Sequence, residues 1–176
     1  DDVCDGVCKK LIYRHPHIFG NVSADTPDEV LKNWDALKKQ EKEQKTFTDT
    51  MRSVPRAFPA LMRAQKVQKR AARAGFDFAD ASEVYDKIAE EMVELSDACS
   101  SGDTSSIRDE YGDLLFSVVN LARFIKVDAE EALAAAADKF IDRFDAVEKL
   151  AAERGMDMPS TPMNELDKLW DEVKEG

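Results

Sequence analysis

Two acidic clusters carry most of the chemistry this sequence could support: Glu90-Glu91-Met92-Val93-Glu94 and Asp109-Glu110-Tyr111-Gly112-Asp113. Their spacing puts Glu91 with Glu94, and Glu110 with Asp113, one turn apart on shared helix faces. A lone E-E-x-x-E run reads most simply as the solvated face of a charged helix. The second cluster argues otherwise. Its helix, IRDEYGDLLFSVVNLARFIK from Ile107, is apolar around most of its circumference, and Glu110, Asp113, Ser117 and Asn120 share one narrow stripe. Such a helix is expected to be buried, and buried carboxylates are costly unless they are paired or bind a metal. One metal site built from Glu91, Glu94, Glu110 and Asp113 is the economical expectation.

The donor types restrict the metal. The only histidines, His15 and His17, are far along the chain from both clusters, and no cysteine interrupts either one. An all-oxygen set favours Mg²⁺, with Mn²⁺ as a substitute, over zinc or iron. Because Mg²⁺ keeps waters and shares its shell with substrate phosphates, the cage points to phosphoryl chemistry. Nearby cations then read as phosphate contacts or as plain surface: Lys66, Lys69 and Arg70 in LMRAQKVQKR, and the i,i+4 pair Lys139 and Arg143. Spacing alone leaves both readings open.

The elements that must position these groups are helices. The chain has 176 residues, 35% charged and 43% hydrophobic, with only seven Gly and six Pro. That balance predicts an all-α fold of long amphipathic helices. Residues 1–14 read as the end of a helix stopped at His15-Pro16, followed by a loop. Thr26-Pro27-Asp28-Glu29 is a helix start, opening a charged segment over about 27–46, and SVPRAFP (53–59) is an irregular connection. Helices are then predicted over 60–74, closed by Gly75; from the Asp80 cap to about Cys99; from Ser106 to about Lys126; and from Asp128 to about Arg154. A last short one starts at Thr161-Pro162. Short connections make neighbours antiparallel in a four-helix bundle.

Composition also excludes. A net charge of −11 argues against a nucleic-acid partner. No run is long enough for a membrane span and no signal-peptide pattern is present. Cys4, Cys8 and Cys99 form no CxxC pair and read as buried or idle thiols of a reducing cytosol, so a cytoplasmic location is expected. The start at Asp1, in what reads as mid-helix, is expected to reflect a fragment. A short internal echo, Lys10-Leu-Ile-Tyr-Arg14-His15 against Lys139-Phe-Ile-Asp-Arg143-Phe144, would fit a second, partial copy of one domain.

Taken in order, ALMRAQKVQKRAARAGFDF, KIAEEMVEL, RDEYGDLLFSVVNLAR, KFIDRF and KLWDEVK resemble the C-terminal domain of the MazG family over residues 55–175. KLIYRHPHIFG and EVLKNWDALKKQEK resemble the end of that family's N-terminal domain and its linker. The resemblance therefore implies three parts: 1–24, the end of a truncated N-terminal MazG-like domain; 25–59, a linker helix and loop; and 60–176, a complete second domain. It implies an all-α nucleoside triphosphate pyrophosphohydrolase fold, an intertwined homodimer, and Mg²⁺-dependent cleavage of NTPs between the α- and β-phosphates. Carried over, the metal ligands are Glu91, Glu94, Glu110 and Asp113. Glu90 and Glu94 are proton-acceptor candidates. Asn120, Lys139, Arg143, Lys66 and Lys69 match phosphate or nucleotide contacts. Trp170 matches a Trp that closes over the base, with core packing as the competing reading. Two rivals remain: a narrower dUTPase- or dCTPase-like all-α pyrophosphatase, and a non-catalytic helical oligomerisation module whose acidic clusters are surface.

Overall fold

The computed structural model describes residues 2–22, 26, 29, 30, 33, 34, 37 and 45–175. Every regular element among them is helical, as the composition predicts. In chain order these are α1 (Asp2–Arg14), α2 (Pro16–Phe19), α3 (Phe47–Arg52), α4 (Ala60–Arg73), α5 (Ala81–Ser101), α6 (Thr104–Phe124), α7 (Ala129–Glu153), a 3₁₀ turn (Met158–Ser160) and α8 (Met163–Glu175). No helix among the described residues is long and apolar enough to cross a membrane.

The chain divides into two compact units, and each is described by itself. One comprises the residues up to Phe58 together with Lys66–Asp77; the other comprises Pro59–Gln65 and everything from Phe78. In the first unit α1 ends at Arg14, before His15-Pro16, as predicted, but Pro16 then opens the short helix α2 where a loop was expected. The predicted helix over 27–46 lies largely outside the described residues. Its start is visible: Glu29 N–H donates to Thr26 Oγ1, and the Glu29 carboxylate accepts from Thr26 N–H, both at 3.3 Å. Helix α3 was not foreseen. It begins with a reciprocal cap in which Thr46 Oγ1 accepts from Asp49 N–H at 3.0 Å and Asp49 accepts from Thr46 N–H at 2.9 Å. Arg70 of α4 closes its other end, donating to the Thr50 carbonyl and, at 2.7 Å, to Ser53 Oγ. Cys4, Cys8 and Cys99 are free and exposed, not buried.

The second unit holds both acidic clusters. Asp80 caps α5, accepting from Ser82 and Glu83 N–H at 2.7 and 3.3 Å. Gly102 ends it in the left-handed region (φ 72°), where glycine is most at ease, and the next residue, Asp103, already caps α6. The predicted opening of α6 at Ser106 is corrected: the helix starts at Thr104, capped by Asp103. Its carboxylate accepts from Ser105 and Ser106 N–H and from Ser106 Oγ, and the Ser106 hydroxyl first among these holds it below its usual carboxylate range. This tight turn folds α6 back against α5 over their length, the antiparallel pairing the short connection predicted. Helix α7, capped by Asp128, packs instead on α8, around a core of Val147, Ala151 and Leu169 with Trp170 at its edge. The Arg154 guanidinium straps the end of α7 to Glu172 of α8, at 2.7 and 2.8 Å. At the start of α4, Met62 N–H donates to Glu130 (3.3 Å) and the Gln65 amide to the Val127 carbonyl (2.8 Å), which ties this turn to the start of α7.

Candidate metal centre

Helices α5 and α6 bring three of the four predicted carboxylates together. One oxygen each from Glu91, Glu94 and Glu110 lies within 4.8 Å of the others. Asp113, one turn past Glu110 on α6, is exposed and stands outside that group, although its charge is felt at Glu110. Burial is graded. Glu91 is 4% exposed, Glu110 is half-buried and Glu94 is exposed. The greasy helix α6 is thus only partly covered within one chain.

Two features suit this cluster to a divalent cation. Glu91 Oε2 is buried without a hydrogen-bond partner among the described residues, a costly state for a carboxylate oxygen and one that a metal ligand bond relieves. The second is proximity and donor type: one carboxylate oxygen from each of the three residues lies within 4.8 Å of the others, and Mg²⁺ takes oxygen ligands. The electrostatics agree. Partial desolvation, and then the charges of Glu94, Glu91, Asp113 and Asp109, hold the Glu110 carboxyl above its ordinary value.

That shift has a thermodynamic sign. The folded chain binds the Glu110 proton more tightly than the unfolded chain does. The contribution therefore favours folding at low pH and is lost as pH rises through the raised value. Removing the charge should relieve the repulsion. In EDTA near neutral pH, Glu110→Gln is expected to melt a few degrees above the wild type, and unlike the wild type it should gain little from Mg²⁺ or Mn²⁺. A lower melting temperature in EDTA would show that Glu110 stabilises the metal-free fold and is not strained by its neighbours.

Lys87 answers part of the negative charge. Its Nζ donates to Glu91 Oε1 at 2.8 Å and to Glu90 Oε1 at 2.9 Å. These two bonds, the one to Glu91 first, hold the ammonium well above the usual lysine range. Sequence reasoning passed over Lys87, although its i,i+4 and i,i+3 spacing from Glu91 and Glu90 is legible in DKIAEE. Glu90 itself is exposed, on the outer side of this pair.

The remaining predicted residues are scattered. Asn120 is buried on α6, and its Oδ1 accepts from Arg123 at 2.5 Å, so its amide nitrogen is the group it can offer. On α7, Lys139 is exposed and Arg143 half-buried. Trp170 is half-buried, with its ring 5.2 Å from that of Phe140, which in turn stacks with Phe144 at 6.2 Å. Core packing, the competing reading for Trp170, is therefore at least part of its role. Lys66 and Lys69 are exposed on the part of α4 that belongs to the other unit, and the Lys66 ammonium lies over the Phe58 ring at 5.4 Å.

Comparison with known proteins joins this geometry to a lineage. The MazG nucleotide pyrophosphohydrolase domain matches residues 79–148, which contain α5, α6 and most of α7. A nucleoside triphosphate pyrophosphohydrolase of Escherichia coli (strain K12) is 41% identical over 176 residues, covering 99% of this chain and 67% of that protein. The chain belongs to the MazG family. The nucleoside triphosphate pyrophosphohydrolase/pyrophosphatase MazG of Thermotoga maritima is similar at 40% identity, over 100% of this chain and 66% of its own length. The chain thus spans about two thirds of the length of these MazG relatives. The family match falls on both acidic clusters, while the full-length similarity extends through the first unit as well.

Proposed function

We propose that this chain hydrolyses nucleoside triphosphates to nucleoside monophosphate and pyrophosphate, with Mg²⁺ held by Glu91, Glu94 and Glu110 and with Asp113 as a fourth ligand. The observation that carries the reading is that Glu91, whose buried Oε2 has no hydrogen-bond partner among the described residues, groups with the carboxylates of Glu94 and Glu110. The printed names of the Escherichia coli and Thermotoga maritima relatives supply the reaction class. They also remove the ground for a non-catalytic helical module. When bound, the divalent ion neutralises phosphate charge and acidifies an attacking water. The chain's own residues do the rest. Glu90 or Glu94, both exposed on α5, takes the proton of the water. Lys139 and Arg143 hold triphosphate oxygens through charge-assisted hydrogen bonds. The Asn120 amide nitrogen donates to the nucleotide, and Trp170 lies over the base. The site works in a homodimer, with residues 60–176 as the catalytic domain and 25–59 as its linker.

Bond choice tests this directly. With ATP and Mg²⁺ in ¹⁸O-labelled water, the products should be AMP and pyrophosphate without ADP, and a panel of NTPs and dNTPs then reports how broad the base preference is. ADP and orthophosphate as main products would place the chain outside pyrophosphohydrolase chemistry.

A further inference from the structure

Glu91 is the most deeply buried carboxylate of the cluster, and a buried carboxylate stripped of every counter-charge is strongly destabilising. Among the described residues the ammonium that meets it is Lys87, one turn earlier on the same helix. The Lys87 side chain is 33% exposed, so its charge sits at the wet edge of the site and not in its interior. The same ammonium also holds Glu90, which ties the two neighbouring carboxylates of the first cluster to one cation. We propose that Lys87 is the resident counter-ion of this site: it holds Glu91 in place before a divalent cation arrives, and it lowers the affinity of the site for that cation.

The inference rests on the metal-site reading above and adds a positioning residue to it. A fixed positive charge a few ångströms from a divalent ion repels it, and after solvent screening that repulsion is worth roughly a tenfold loss of affinity. In exchange, the metal-free site stays assembled. The arrangement trades affinity for order, which keeps a cluster of three carboxylates folded while no ion is bound.

The test uses the full chain and Mn²⁺ alone, without nucleotide, read by isothermal titration calorimetry and by melting in EDTA. Lys87→Met should melt below the wild type in EDTA and yet bind Mn²⁺ roughly tenfold tighter. Lys87→Arg, which keeps the charge, should stay within about twofold of wild-type affinity. If the Met variant loses its helical signal, Lys87→Gln takes its place with the same expectation. An ordinary surface ion pair would lower the melting temperature and leave Mn²⁺ affinity unchanged, and a lysine serving only phosphate would alter nucleotide binding alone. Either result overturns the proposal. A wild type that binds no Mn²⁺ refutes the metal site itself, and the counter-ion role falls with it. A wild type that binds, beside a Met variant that binds no tighter, refutes only the role of Lys87.

Discussion

Glu91→Gln should abolish pyrophosphate release while leaving the helical signal intact. The substitution keeps the shape of the side chain and removes only the charge of the most buried carboxylate of the group, whose Oε2 has no partner among the described residues. Lys87 then faces a neutral amide, and the cation loses the ligand least screened by water. Losing even an outer partner of a metal site typically costs ten- to a hundredfold, so losing this inner one should cost at least about a hundredfold in turnover. Glu110→Gln should match it, because Glu110 is the carboxylate that the facing helix brings to the group, and in the proposed site the ion would otherwise be held from α5 alone. Asp113→Asn separates two geometries. A loss as large as that of Glu91→Gln makes Asp113 a ligand despite its exposed position, whereas a mild loss leaves a three-carboxylate site. Wild-type turnover in both Glu variants would sink the metal assignment.

What the sequence made legible follows a physical line. Asp80 and Asp128 announce their helices because each carboxylate satisfies two free N–H groups of a first turn, a local event written in a few residues. The start of α6 misleads for the same reason: Ser106 with Asp109 imitates a cap, but Asp103, lying beside the obligatory turn at Gly102, takes the N–H groups first. Helix α3 hides behind Pro55 and Pro59, although Thr46 and Asp49 carry its reciprocal cap. The convergence of Glu91, Glu94 and Glu110 was readable because a tight turn leaves two amphipathic helices little choice of partner. The depth of their burial was not. An apolar helix circumference says that a surface wants cover, and it does not say whether the same chain provides it.

That gap sets the second large expectation, that the active species is a homodimer whose folding and assembly are coupled. Within one chain α5 packs on α6 and α7 on α8, and both pairs leave apolar side chains in water. Val93 on α5 is 61% exposed, Leu133 and Ile141 on α7 are 59% and 62%, and Leu115 and Val118 of α6 are exposed beside them in sequence and type. Single exposed apolar residues need no explanation; runs of them on three consecutive helices do. Such faces match an obligate interface, which typically buries roughly 2,000 Å² or more and resembles a domain core cut in half. A two-fold arrangement would cover each face with its own copy, and would deepen the burial of the half-covered Glu110. Sedimentation equilibrium over a wide dilution range should therefore find twice the 19.7 kDa chain mass, with helical signal and pyrophosphate release falling together at the lowest concentrations. Val118→Glu places a charge in the middle of the α6 face, and should shift that fall to at least tenfold higher concentration, since burying an unpaired carboxylate costs several kcal/mol. A stable, fully active species at the mass of one chain would overturn the coupling, because its apolar helix faces would then be standing in water at no cost to the fold.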